Sequence, residues 1–118
     1  MLTITPSGQT LGATVTGADL SQPLSREDFA QTLQALGHYG VLRFTNQQLS
    51  AAAVRDFSQR FGPIQGSVTG RFHHPTVGEV GILSNVKENG EPIGLGDAGQ
   101  DWHTDMSYRD TIGFVNTL

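Results

Sequence analysis

Between Gly62 and Gly99 the chain places nine glycines and three prolines, Pro63, Pro75 and Pro92, within 38 residues. Glycine loses the most backbone entropy on ordering and proline removes a backbone donor, so such a stretch resists long regular elements. Only Val80 to Val86 reads there as a clear strand. Regular structure is expected mainly before Gly62. The stretch itself is expected to be long connections, which in compact domains carry binding sites or disorder.

The part before Gly62 has ordinary element signals. Leu2-Thr3-Ile4-Thr5 alternates and stops at Pro6-Ser7-Gly8, and Leu11 to Thr16 is a second short strand closed by Gly17. Ser25-Arg26-Glu27-Asp28 has the hydroxyl-then-acid spacing of a capping box. Phe29, Leu33 and Leu36 then recur at helical intervals up to Gly37, which predicts a first helix with those three side chains in the core. His38 at its end is a C-terminal cation or a packed imidazole. Gly40-Val41-Leu42-Arg43-Phe44 reads as a buried strand in which Arg43 is a rim or salt-bridge residue. Ser50 caps a second helix with Val54, Phe57 and Phe61 as its apolar stripe and Gly62-Pro63 as its stop.

Composition excludes several classes. Hydrophobic side chains make up 36% of the 118 residues, with 15 glycines besides, which is the content of a globular protein rather than a disordered one. There is no cysteine, so disulfides, thiolate metal sites and a cysteine nucleophile are ruled out, and any metal must sit on nitrogen and oxygen ligands. The net charge of −4 is uneven: residues 1–75 carry five basic and four acidic side chains, residues 76–118 two and seven. An acidic second half disfavours nucleic acid as a partner and tolerates a cation. The start, MLTITPSGQT, lacks the basic and apolar segments of a secretory signal, and no apolar run approaches the ~18 residues of a membrane span. A soluble cytoplasmic protein with no membrane partner is the default expectation; a homo-oligomer remains open.

The stretch with chemical content is Asp101-Trp102-His103-Thr104-Asp105-Met106-Ser107-Tyr108. In extended chain His103 and Asp105 project to one side, while Trp102 and Met106 face the other and pack into a core. An imidazole plus a carboxylate is two thirds of the 2-His-1-carboxylate facial triad that holds Fe(II) and leaves one coordination face open. Spacing alone does not settle this, since His-x-Asp arises by chance and a solvated surface strand explains it as well. Other polar candidates cluster nearby in sequence. His73 and His74 precede Pro75, Asn85 ends the expected strand, and Gln100 and Asp101 immediately precede the motif; each has a solvated-loop or turn reading beside a ligand-contact one. Asp97 to Gly99 reads as loop only.

WHTDMSY resembles the first metal motif of the taurine dioxygenase and 2,4-D dioxygenase-like (TauD/TfdA) family of Fe(II)/2-oxoglutarate-dependent oxygenases. The runs ITPSGQTLGATVTGADLSQPLS, GVLRFTNQQLS and FSQRFGPI are similar to that family's opening in the same order, so the resemblance covers essentially the whole chain. It implies an α+β fold, the opening part of a double-stranded β-helix (jelly roll, cupin-like) with helices packed outside it. It implies His103 and Asp105 as iron ligands, with no catalytic residue beyond the metal ligands. Cosubstrates would be 2-oxoglutarate and molecular oxygen, and the products succinate and carbon dioxide. The organic substrate would be a small anion hydroxylated at an unactivated C–H bond: a sulfonate, sulfate ester, aryloxyacid or carboxylate. His73 or His74 would grip its anionic group, with Asn85, Gln100 and Asp101 as further substrate-side candidates.

The family's second metal histidine and its 2-oxoglutarate arginine have no counterpart after Asp105, where Arg109 is the only basic residue. The expectation is that residues 1–118 form the N-terminal portion of a single dioxygenase domain. The chain would then stop within a strand at Asn116-Thr117-Leu118, be inactive by itself, and find those groups downstream of Leu118. Three other readings compete: a zinc hydrolase, for which no His-Glu-x-x-His accompanies the pair; a non-catalytic cupin-like metal- or ligand-binding module; and an inactive or interaction-only fragment.

Overall fold

A computed structural model describes residues 1–66 and 70–118. The elements in chain order are β1 (Thr3–Pro6), β2 (Ala13–Thr16), α1 (Arg26–Tyr39), β3 (Leu42–Phe44), α2 (Ala51–Gln59), β4 (Lys87–Glu88) and β5 (Glu91–Pro92). The fold is mixed α/β, and the chain divides into two compact units, Met1–Ala53 and Val54–Leu118.

In the first unit the two expected strands form, and the structure pairs β1 and β2 antiparallel, with Thr3 opposite Thr16 and Pro6 opposite Ala13. Ser7 builds the connection, its N–H donating to the Gly12 carbonyl at 2.9 Å and its hydroxyl to the Leu11 carbonyl at 2.8 Å. β3 joins the other side of β2 in parallel, giving the order β1-β2-β3. A parallel neighbour needs a long crossover, which α1 supplies. Alternation along β2 buries Ala13 and Val15, which join Leu2, Leu20 and Ala35 in the core. Gln47 pins the chain before α1: its side-chain oxygen accepts from Leu20 N–H at 2.8 Å and its amide group donates to the carbonyls of Ala18 and Thr45.

Ser25 caps α1 as expected, accepting from Asp28 N–H at 3.0 Å. Two expectations change. The helix continues through Gly37 to Tyr39 and ends at Gly40, whose φ of 73° is the left-handed conformation that glycine adopts without strain; Gly40 N–H donates to the Leu36 carbonyl at 2.8 Å. The buried stripe is also turned, with Thr32 and Ala35 buried and Leu33 37% exposed. Thr32 tolerates burial because its hydroxyl donates to the Asp28 carbonyl at 2.9 Å, so no polar atom is left unpaired. The strand at residues 40–44 is likewise less buried than its apolar sequence suggests. β3 lies at the sheet edge, with Leu42 and Phe44 half-buried and Val41 exposed.

The second unit has less regular structure. α2 begins within the first unit, where Ser50 caps it by accepting from Ala53 N–H at 3.1 Å; in the second unit Phe57 and Phe61 pack edge to face at 5.3 Å. The expected strand from Val80 to Val86 does not form. Gly81 makes one isolated bridge with His73, and Leu83 another with Leu95. On its C-terminal side each ladder is cut short, the first by Pro75, which has no N–H to donate, and the second by the turn at residues 96–99. β4 and β5 were not expected; they form a two-residue hairpin around Asn89-Gly90, both with positive φ (51° and 84°), for which Asn-Gly is the usual sequence signal. Asp97 to Gly99 is turn, as read. Residues 112–118 are not a strand, contrary to the reading of Asn116-Thr117-Leu118. Residues 67–69, inside the glycine-rich stretch, lie outside the described residues.

Candidate metal centre

The motif lies in irregular backbone rather than in a strand. Trp102 to Thr104 has no assigned structure, bends follow at Asp105 and Met106, and a turn at Ser107 and Tyr108 is closed by Arg109 N–H donating to the Met106 carbonyl at 3.2 Å. Met106 has a φ of 59°, which ends any two-residue alternation there. The expected buried backing is therefore half lost: Met106 is partly buried, but Trp102 is fully exposed.

His103 and Asp105 nonetheless meet. The His103 Nδ1 lies 2.6 Å from the Asp101 carbonyl, and since a carbonyl only accepts, Nδ1 carries the proton. That leaves Nε2 facing the Asp105 Oδ1 at 3.1 Å. The other carboxylate oxygen, Oδ2, accepts from the Asn116 side-chain amide at 2.5 Å. The Asp101 carbonyl, and then the Asp105 charge, favour the imidazolium and raise the His103 pKa above its usual 6.5, against an opposing desolvation effect. Both side chains are about half exposed, 53% each, so water screens this pairing.

This pair fits a divalent metal in chemistry and in preorganisation. A histidine whose Nδ1–H is held by a carbonyl presents the Nε2 lone pair once it loses its second proton, which is the usual second contact of a metal-bound imidazole. It fits in number only in part, because no group of three or more His, Cys, Asp or Glu side chains converges among the described residues.

The other candidates are spread through the same unit. His73 bridges to Gly81, and its buried Nδ1 has no hydrogen-bond partner among the described residues. His74 Nδ1 is occupied locally, 3.3 Å from both the N–H and the hydroxyl of Thr76. Asn85 and Gln100 are exposed, and Asp101 meets the motif through its carbonyl rather than its carboxylate. His38 belongs to the first unit and packs edge-on to Tyr39 at 4.6 Å.

Three contributors were missed. Asn116 gave no signal, being eleven positions from Asp105 with no periodic relation to it. Gln65 and Arg109 brace the turn after the motif, with Gln65 donating to the Thr111 carbonyl at 3.0 Å and Arg109 to the Gly66 carbonyl at 3.1 Å. With Tyr108, Asp110 and Thr111 they line an open cavity of about 440 Å³.

Residues 3–118 match the family described as taurine catabolism dioxygenase TauD, TfdA family. Pentalenolactone F synthase of Streptomyces avermitilis is 36% identical over 116 residues, which cover 94% of this chain and 37% of that protein. The (S)-phenoxypropionate/alpha-ketoglutarate-dioxygenase of Delftia acidovorans is 35% identical over 122 residues, covering 94% and 39%. The structure of AAD-2 in complex with Mn(II) and N-oxalylglycine superposes with a TM-score of 0.54 and 26% identity over 56% of this chain and 26% of that one. The chain thus spans about two fifths of the length of the curated relatives it matches. Since the match begins at β1 and takes in the His-x-Asp motif, the chain belongs to the TauD/TfdA family of dioxygenases, whose cofactors are Fe(II), 2-oxoglutarate and molecular oxygen.

Proposed function

We propose that His103 and Asp105 are two of the protein ligands to Fe(II) in a 2-oxoglutarate-dependent dioxygenase, and that residues 1–118 are the opening part of its double-stranded β-helix. The observation that carries this reading is the meeting of His103 Nε2 and Asp105 Oδ1 at 3.1 Å with Nδ1 already committed to a carbonyl. When bound, iron and 2-oxoglutarate supply oxygen activation for attack on a C–H bond. The chain's own part is to hold the ligands. The Asp101 carbonyl fixes the imidazole's tautomer and orientation, and the Asp105 carboxylate supplies negative charge to a cation. The third ligand and the 2-oxoglutarate arginine are not assigned to any described residue.

The substrate class we propose is a small organic anion. Support comes from the relative named for phenoxypropionate, an aryloxyacid with a carboxylate head group. Within the chain, the unpartnered Nδ1 of His73 is a hydrogen-bonding group without a described role; it and His74, with Asn85, Gln100 and Asp101, remain the substrate-side candidates.

Anaerobic Fe(II) titration of the full-length protein tests the ligand assignment. His103→Ala and Asp105→Ala each remove a donor atom and are expected to abolish stoichiometric binding, while His38→Ala retains it. Wild-type iron affinity in both of the first two variants would sink the assignment.

A further inference from the structure

We propose that Asn116 is a positioning residue for the metal centre, holding the Asp105 carboxylate so that one oxygen, Oδ1, is presented on the His103 side. This deepens the ligand assignment above and rests on it.

Asp105 has two equivalent oxygens and, on an exposed bend, nothing in its own backbone to choose between them. The structure distinguishes them by partner: Oδ1 lies 3.1 Å from His103 Nε2, and Oδ2 accepts from Asn116 Nδ2 at 2.5 Å. An ionised carboxylate only accepts, so the Asn116 side chain must turn its NH₂ toward it; the direction of this bond is fixed by chemistry. A bond to a charged group is among the stronger hydrogen bonds and is directional, so it restrains the carboxylate's rotation as well as its position.

Asn116 is itself placed by its neighbour. Thr117 shares a hydrogen bond of 2.5 Å between its hydroxyl and that of Ser58 on α2, and Ser58 in turn donates to the Val54 carbonyl at 2.6 Å. The segment carrying Asn116, irregular along its length, is thereby tied to a helix. His103 and Asp105 each have an outer partner, the Asp101 carbonyl for the imidazole and the Asn116 amide for the carboxylate. Ligating carboxylates with such outer hydrogen bonds bind metal more tightly, and loss of the partner typically costs about 10- to 100-fold in metal affinity. Because this pair is exposed, the lower end is expected, about 10-fold.

The test measures Mn(II) and Fe(II) affinity, the former from the electron paramagnetic resonance signal of free Mn(II), in wild type and in Asn116→Ala, Asn116→Asp, Asp105→Ala and His103→Ala. Circular dichroism confirms the fold of each. Asn116→Ala should weaken both metals about 10-fold. Asn116→Asp keeps the side chain's shape but turns a donor into an acceptor, and should weaken binding at least as much. The infrared carboxylate stretches of the Mn(II) form give a readout that a purely structural role would not move. Freed of its amide, Asp105 Oδ2 can join Oδ1 on the metal, and the spacing of the two stretches should narrow. If both Asn116 variants bind as wild type does while His103→Ala and Asp105→Ala do not bind, the positioning role is overturned and the ligand assignment stands. If His103→Ala and Asp105→Ala also bind as wild type does, both fall together.

Discussion

The two units of this chain bury their apolar side chains to very different degrees. In Met1–Ala53 the sheet and α1 enclose Leu2, Ala13, Val15, Leu20 and Ala35. In Val54–Leu118 Val77 is the one buried hydrophobic side chain among the described residues, while Leu83, Val86, Leu95, Trp102, Tyr108, Ile112, Phe114 and Leu118 are exposed. The number of large apolar side chains does not explain the contrast, since leaving out alanine the first unit has 15 and the second 20. The first unit has two paired strands of four residues, a third of three, and a capped helix of 14 residues. The second has two strands of two residues each and isolated bridges, and single rungs offer no continuous face to pack against. The candidate metal pair lies in this second unit. There geometry is set by individual hydrogen bonds, His103 donating to the Asp101 carbonyl and Asn116 to the Asp105 carboxylate, rather than by packing.

The strongest way to break this comparison is to truncate matched leucines. Leu20→Ala in the first unit should destabilise by about 2–5 kcal/mol, as buried leucines do; Leu83→Ala in the second should stay within about 0.5 kcal/mol, as exposed positions do. Urea unfolding followed by circular dichroism reads both. Equal costs would mean that the second unit has a core comparable with the first.

A smaller effect is expected from the exposed apolar side chains. Ile112→Ser with Phe114→Ser should lower binding of a hydrophobic dye and reduce self-association in sedimentation while leaving the unfolding midpoint nearly unchanged, because the side chains removed are already in water. A large loss of stability would show them to be packed.

The smallest effects are electrostatic, and they run in opposite directions in the two units. Ser21 donates its hydroxyl, and secondly its backbone N–H, to Asp19 and lowers its pKa below 3.8. A lowered carboxylate pKa contributes stability that is present above 3.8 and lost as pH falls through the folded value. The raised pKa of His103 does the reverse: its contribution is complete below 6.5 and lost as pH rises through the folded value. Both groups are exposed, so the readout is nuclear magnetic resonance titration of each side chain rather than melting. Ser21→Ala should return Asp19 toward 3.8. Asp105→Asn should lower the His103 value only partway, since the Asp101 carbonyl is the larger cause and remains.

Much of the first unit was legible in order along the chain. The turn at Pro6-Ser7-Gly8, the Ser25 and Ser50 caps and the alternation ending at Gly17 are local signals, and each marks an observed element. The Asn89-Gly90 hairpin carried an equally local signal and was available to be read. Leu33 and Trp102 were misplaced because burial depends on what lies opposite, and neither a helical interval nor an alternating one states that. The His-x-Asp pair met as expected, yet by another route: bends brought the side chains together where an extended strand was foreseen.

Sequence by itself determined the family, the absence of thiolate chemistry, the caps and turns, and which imidazole and carboxylate stand two residues apart. These depend on residues close in the chain or on motifs kept in order along it. Only the tertiary structure decided the tautomer of His103, the partner of each Asp105 oxygen, the exposure of Trp102 and the role open to Asn116. These follow from contacts between distant residues, and a hydrogen bond across eleven positions leaves no periodic trace in the sequence.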